Sequence, residues 1–440
     1  MLACHAISSH ATKDASLNLA NLLSRKTPFF YGWVILATSG STQVVRNAAA
    51  SLTLAVFMYP MADDLGWSRT VLAGAASAGG LASTFLSPAT GWAVDRYGAK
   101  NVLSVSVLVL GITTFLTGWA TVPIFFYITY GIGRVIFSSP VQIGSSVVVS
   151  RWFIKRRGRA NGILSFCHSI GMTGFPLMAS ILIGIYGWQV TWQILGVAVW
   201  IVALLPAFLF LAETPESVGV LPDGETPPND TESSSARDIT GEISWTLKEA
   251  MKTPALWQLA LGTGFLYVIQ SGTNVHMAAY LQDINLNSKV AASAVSLTAV
   301  FTGLGGLGWG LIIEKVAARF CYALVAALMA ASTLLFIAAN SPQTALTVAS
   351  LFGISVGGIL VIPPVAFANY FGRDSLGAIR GITEPFNAFG QAIGALLSGI
   401  IRDGTASYEL AFYTMAVVAL VAIFVTVSAT IPKKTTDHRQ

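Results

Sequence analysis

Five side chains able to hold a charge or move a proton lie inside long apolar runs of the sequence: Arg46, Arg134, His168, His276 and Glu384. Ionisable groups are costly in hydrocarbon, so each is a functional candidate. Arg46 and Arg134 have few acids near them. A guanidinium grips a carboxylate at two points, so this pair points to an anionic ligand. The other reading of Arg134 is a structural ion pair with Glu384; for Arg46 no second buried acid remains. His276, within Asn274-Val275-His276-Met277 and followed by Tyr280, either senses protons, as imidazoles do near neutral pH, or hydrogen-bonds a neighbouring helix. His168 reads as a hydrogen-bonded core residue. Glu384, next to Pro385, is either a proton-coupling carboxyl, pulled in opposite directions by burial and by a nearby arginine, or a permanently ionised structural partner.

Other chemistries find no constellation. Cys4, Cys167 and Cys321 lie far apart with no metal-ligand spacing, no nucleophile stands with a base, and no phosphate-binding G-x-x-x-x-G-K-[ST] loop occurs. The reading is therefore of a protein that is not an enzyme, with no cofactor and no metal.

The elements that position these residues follow from composition. Of the 440 residues 54% are hydrophobic and 10% charged, and the mean hydropathy is +0.67, whereas a soluble domain carries about 25% charged residues. The chain is an integral membrane protein. Its net charge of +5 reports loop orientation more than a nucleic-acid partner. Residues 1–29 are polar, without a signal-peptide pattern.

Apolar runs of about 20 residues cross a bilayer, and twelve are read: 30–57, 69–93, 102–120, 122–149, 160–184, 188–211, 255–281, 290–313, 320–339, 343–369, 377–401 and 410–431. Arg46 and Asn47 interrupt the first, which requires a tilted or kinked helix. With the N-terminus cytoplasmic, Arg69, Lys289 and Arg402 fall outside, Arg46 and Arg134 fall within spans, and the other twenty of the 25 Lys and Arg fall inside, among them Lys13, Arg25, Arg237, Arg380 and Arg439. Both termini are thus expected in the cytoplasm. The domains expected are a cytoplasmic tail (1–29), a six-helix bundle (30–211), a Pro/Ser/Thr/acid-rich linker (212–253), a second six-helix bundle (254–431) and a tail (432–440). Residues 243–250 are expected to lie on the membrane surface as a short amphipathic helix; Asn229-Asp230-Thr231 fits a sequon by chance on the cytoplasmic side.

The halves are internal copies. At an offset of 219, Gly91 maps to Gly310, Asp95 to Glu314, Arg96 to Lys315, Pro123 to Pro342, Gly162 to Gly381, Ile163 to Ile382 and Gly171 to Gly390. Duplicated halves related by an axis along the membrane normal hold a substrate near the midplane.

Between the second and third runs stands Gly91-Trp92-Ala93-Val94-Asp95-Arg96-Tyr97-Gly98-Ala99-Lys100, a short charged hinge that forces an antiparallel hairpin. Its pattern G-x-x-x-D-R-x-G-x-K resembles the signature loop of the major facilitator superfamily of secondary transporters. That resemblance implies a fold of twelve transmembrane helices, all α, in two six-helix pseudo-repeats, working by alternating access. It also implies gating by Gly91, Asp95, Arg96, Gly98 and Lys100, with Asp95 as a latch and Glu314 as its weaker copy, and a cavity lined by spans one, four, seven and ten. Arg46, Arg134 and His276 would then face one path, with Asn274 beside His276 as a further substrate contact.

Tyr31-Gly32-Trp33, Gly66-Trp67-Ser68-Arg69, the basic loop Arg151–Ile163 and Pro215-Glu216-Ser217-Val218-Gly219-Val220-Leu221-Pro222-Asp223-Gly224 are similar to the monocarboxylate-transporter branch, including its bacterial members. One departure stands out: that branch carries a basic residue with an acid on span eight, and residues 291–313 carry no charge. The expected function is proton-coupled transport of a small organic anion, a monocarboxylate-like symport, across the plasma membrane (the bacterial inner membrane), with the anion, protons and the bilayer as partners and no nucleic acid. The alternatives are an exporter of hydrophobic compounds, an organic-anion exchanger, and a non-transporting sensor with this fold.

Overall fold

The computed structural model describes residues 26–225 and 244–434, with residues 20, 22 and 24. Lys13, Arg25, Arg237, Arg439, Cys4, Ile243 and the Asn229 sequon lie outside the described residues.

The described residues form helices and no strand. In order these are α1 (Gly32–Val45), α2 (Ser51–Leu65), α3 (Arg69–Tyr97), α4 (Ala99–Thr117), α5 (Pro123–Ser138), α6 (Pro140–Trp152), α7 (Arg157–Val199), α8 (Leu205–Phe210), α9 (Leu247–Met251), α10 (Pro254–Asn274), α11 (Met277–Asp283), α12 (Ser288–Ile312), α13 (Ala318–Ile337), α14 (Pro342–Phe371), α15 (Leu376–Thr405) and α16 (Glu409–Val427). Nine helical stretches among the described residues are long and apolar enough to cross a membrane. One of them, Arg157–Phe210, is too long for a single pass at 54 residues, and Gly187, at φ 77° and ψ 169°, divides it. A side chain rarely adopts that φ, which is why the break falls on glycine. The run α10–α11 and helix α15 complete a pattern consistent with twelve spans. They are less apolar than the other nine, α10 carrying Gln258, Gln270 and Asn274, and α15 carrying Arg380, Glu384, Arg402 and Asp403.

The kink expected in the first span is present. A 3-10 turn, Arg46–Ala49, follows α1, and Ala50 is extended (ψ 149°) before α2. Its freed polar groups are bridged locally: Thr53 Oγ1 donates to the Asn47 carbonyl at 2.7 Å, and Asn47 Nδ2 donates to the Gln43 carbonyl at 3.0 Å. Such side-chain bridging lets a broken helix persist in lipid.

The sequence repeat reappears in the helix starts. Arg69 and Ser288, Ala99 and Ala318, Pro123 and Pro342, and Arg157 and Leu376 are each the first residue of a helix, and each pair lies 219 residues apart. The caps repeat as well. Ser68 Oγ accepts from the N–H of Val71 at 3.3 Å, and 219 residues on Asn287 Oδ1 accepts from Val290 at 2.9 Å. Ser and Asn satisfy an otherwise orphaned N–H at a helix start, and Pro fits the first turn because its missing donor is not needed there.

The chain divides into two compact units, 1–160 with 170–242, and 161–169 with 243–440. In the first, Phe57 stacks on Trp192 at 3.9 Å, beside Tyr130. In the second, Tyr280, Phe336, Phe412 and Tyr408 form an aromatic cluster.

Candidate functional site

Three groups of polar side chains are set into this scaffold. The first closes one end of the first unit. Asp95, near the C-terminus of α3, accepts from Arg151 Nη2 on α6 at 3.0 Å. Arg151 Nη1 pairs with Glu213, just beyond α8. Glu213 also accepts, through its two oxygens, the backbone N–H groups of Ala99 and Lys100 at 3.0 Å each. These are the first N–H groups of α4, where a carboxylate meets both unpaired donors and the positive end of the helix dipole. Gly98 makes this approach possible: its φ is +88°, and a Cβ there would stand 2.9 Å from Glu213 Oε2. Of the expected gating residues, Asp95, Gly98 and Lys100 meet in this cluster; Gly91 is buried one turn back on α3, and Arg96 is exposed. Arg151 and Glu213 were not identified from sequence as site residues. The available signal was the Glu-Thr-Pro-Glu-Ser run closing the sixth span.

The segment after α8 secures the adjoining basic loop. Asp223 accepts from the N–H groups of Ile154, Lys155 and Arg156 at 2.9, 2.8 and 3.3 Å. Glu225 pairs with Lys155, and that hydrogen bond raises the Lys155 ammonium above its ordinary value.

The second group lies inside the first unit. Arg46 is 4% exposed, and its Nη1 donates to the Phe137 carbonyl at 2.9 Å. The guanidinium carbons of Arg46 and Arg134 are each 4.6 Å from the Phe137 ring centroid, so they stand no further apart than twice that distance. Gly79 makes room for Arg134: a Cβ on Gly79 would lie 2.7 Å from the Arg134 Cβ. Gln43, one turn before Arg46, bonds Ser145 on α6.

The third group belongs to the second unit and corrects a sequence expectation. Glu384 does not pair with Arg134. Its partners are Arg380, four residues earlier on α15, and Asn387, whose Nδ2 donates to Glu384 Oε2 at 2.6 Å. Arg380, expected in a cytoplasmic segment, is 3% exposed inside α15. The local i,i+4 spacing brings Arg380 and Glu384 together without help from another helix, so the distant arginine is not required.

His276, between α10 and α11, is engaged at both ring nitrogens: Nδ1 with the Tyr408 hydroxyl at 3.3 Å and Nε2 with the Ala395 carbonyl at 2.9 Å. These contacts tie the α10–α11 junction to α15 and to the residue before α16. Asn274 ends α10 with a buried Oδ1 that has no hydrogen-bond partner. Glu314 follows α12. Among the described residues no group of His, Cys, Asp and Glu could hold a metal ion.

The chain is similar to known proteins over much of its length. The chain is 27% identical over 337 residues to the cis,cis-muconate transport protein of Acinetobacter baylyi, covering 74% of this chain and 76% of that one. It is 22% identical over 474 residues to monocarboxylate transporter 9 of Gallus gallus, covering 91% and 93%, and 27% identical over 161 residues to a probable galactarate/D-glucarate transporter of Escherichia coli, covering 34% and 35%. Among solved structures, the proton:xylose symporter XylE superposes with a TM-score of 0.71 at 12% identity, over 90% of this chain and 94% of that one. The human organic anion transporter MFSD10 superposes at 0.67 and 15%, over 91% and 100%. The profile of the Major Facilitator Superfamily matches residues 42–294 and 259–440. This multi-pass membrane protein, with its duplicated helix starts and its charged hinge, belongs to the major facilitator superfamily.

Proposed function

We propose that the chain is a secondary active transporter of a small organic anion, a carboxylate, moved by alternating access together with a proton. The observation that carries the reading is the arginine pair on Phe137: two cationic groups held in the interior of one unit by a carbonyl and a ring. An aromatic face offsets only a small part of a cation's charge, so the Phe137 ring does not by itself neutralise either guanidinium. Relatives named as carriers of muconate, monocarboxylates and aldarates support the same substrate class.

In this reading Arg46 and Arg134 bind the anion within the first unit; Asn274 and His276 remain the substrate contacts proposed from sequence. Glu384, with His276 next in line, carries the proton. Asp95 with Gly91, Arg96, Gly98 and Lys100 gates one face, and Glu314 serves as the lesser copy. The Asp95–Arg151–Glu213 cluster supports the gating role, because it joins the ends of α3, α6 and α8 and the start of α4 by charge, and charge pairs can exchange partners during a conformational change. The protein would reside in the plasma membrane with both termini cytoplasmic and act as a carrier and not as an enzyme.

Uptake of radiolabelled cis,cis-muconate, benzoate and lactate into proteoliposomes, with and without an inward proton gradient, tests the proposal. Accumulation of at least one of them under the gradient is expected. Efflux of lipophilic cations with no uptake of any acid would replace the reading with the hydrophobic-exporter alternative.

A further inference from the structure

We infer that Arg380 is a second carboxylate-binding residue and that the Arg380–Glu384 pair admits a carboxylate only together with one proton; the inference rests on the organic-anion reading above. Arg380 and Glu384 are 3% and 8% exposed on α15. A guanidinium has five N–H donors on three nitrogens. At Arg380 only Nη2 has a partner, Glu384; Nε and Nη1 are buried with none. Buried polar groups are almost always paired, so two orphaned nitrogens on one charged group point to a missing acceptor. Nε and Nη1 flank Nη2 on either side, so once Nη2 is free an anion with two oxygens can take Nη2 together with one of them. Near by, the Tyr322 hydroxyl, bonded to Thr263 Oγ1 at 2.9 Å, lies within electrostatic reach of Arg380.

Charge arithmetic sets the coupling. Arg380 and ionised Glu384 together are neutral, so a carboxylate added to the pair would leave one uncompensated negative charge in a buried place, which is strongly disfavoured. One proton on Glu384 removes that charge. It also releases Nη2 for the incoming carboxylate, while Asn387 remains hydrogen-bonded to the now neutral acid. Anion and proton therefore enter together or not at all, one for one, and no covalent bond to the anion forms or breaks.

Other groups do not supply this proton. Against α15 pack α10, α14, α16 and α9, bringing the phenols Tyr267 and Tyr370, the surface residues Lys248 and Glu249, and Glu409 at the opposite end. Phenols stay neutral across the physiological range, and Glu249 is committed to Lys434. His276 meets α15 at Ala395, eleven residues from Glu384 and about 16 Å along the helix.

The test is calorimetric binding of benzoate, lactate and succinate to purified full-length protein from mildly acid to mildly alkaline pH. Wild-type affinity is expected to fall about tenfold per pH unit on the alkaline limb, the slope of one linked proton. Glu384→Gln should bind with no such slope. Arg380→Gln should lose at least tenfold in affinity at every pH, with part recovered in Arg380→Lys. Unchanged affinity in Arg380→Gln, or a persistent slope in Glu384→Gln, overturns the inference and leaves the anion reading standing. Wild-type protein that binds none of the three acids overturns both. If Arg380→Gln does not emerge monodisperse, the slope of the isosteric Glu384→Gln decides alone.

Discussion

The two halves share their helix starts at an offset of 219 residues, yet they place charge at different points of the common scaffold. Arg46 and Arg134 of the first half correspond to Phe265 and Gly353 in the second, whereas Arg380 and Glu384 of the second correspond to Asn161 and Ser165 in the first. The ends differ in the same manner. Where the first half holds Arg151 between Asp95 and Glu213, the second has Tyr370, whose hydroxyl donates to the Ala429 carbonyl at 2.9 Å. The comparison teaches that packing is duplicated and chemistry is not. Small residues, prolines and caps recur because backbone geometry requires them in both copies. A charge in the membrane is expensive, so one present in a single copy is a candidate for a task of that half alone.

The difference can be broken most completely at the arginines of the first half. Arg46→Ala or Arg134→Ala should weaken anion binding severely, by about 2–5 kcal/mol, as when one partner of a buried charged contact is truncated. Arg→Lys should restore it only in part, because an ammonium lacks the planar fork. Isothermal titration with a carboxylate substrate measures this; unchanged affinity in Arg134→Ala would assign that residue a structural role.

Next in size is the end cluster. Asp95→Asn should slow transport severely while the protein still reaches the membrane in normal amount, since Arg151 keeps Glu213 as partner. Normal flux at normal expression would show that the triad is not a gate. The matching change in the second half, Glu314→Gln, should have the smaller effect of the two.

Third, Glu384→Gln is expected to lose uptake driven by a pH difference in proteoliposomes. Accumulation of substrate against its gradient under that drive would move the coupling role to His276. Fourth, Gly98→Ala should destabilise the first unit by about 1–3 kcal/mol, the cost of a positive φ with extended ψ for a residue with a Cβ, and lower the melting temperature in detergent. Gly310→Ala, at the second-half counterpart of Gly91, provides the contrast: no left-handed φ is required there.

The smallest expected effect concerns the short helix α9. Glu249 lies below its ordinary carboxylate value, chiefly because it accepts from the Thr246 backbone N–H and then from Lys434 and the Thr246 hydroxyl. A lowered value in the folded state means the contribution is present above the unfolded value and is lost as pH falls through the folded one. Wild-type α9 should therefore loosen only in acid, and Glu249→Gln should remove that acid-dependent step. Hydrogen exchange of residues 246–252 across the acid range would reveal it.

Sequence alone determined the membrane class, the approximate spans, the repeat and the hinge. These rest on hydropathy, on spacing and on a loop whose residues are neighbours in the chain, and each is a local or periodic property. It also located the break in the first span, because Arg46 and Asn47 interrupt an apolar run. What it could not determine was partnership. The sequence offered Arg134 as one possible partner of Glu384 because both lie deep in apolar runs, whereas the helical period places Arg380 one turn from it. Arg151 and Glu213 look like loop and linker residues, since the sequence does not show that two positions 62 apart come together. Only the tertiary structure decides which buried charge satisfies which, because that depends on distances between helices, and a hydropathy pattern contains none of them.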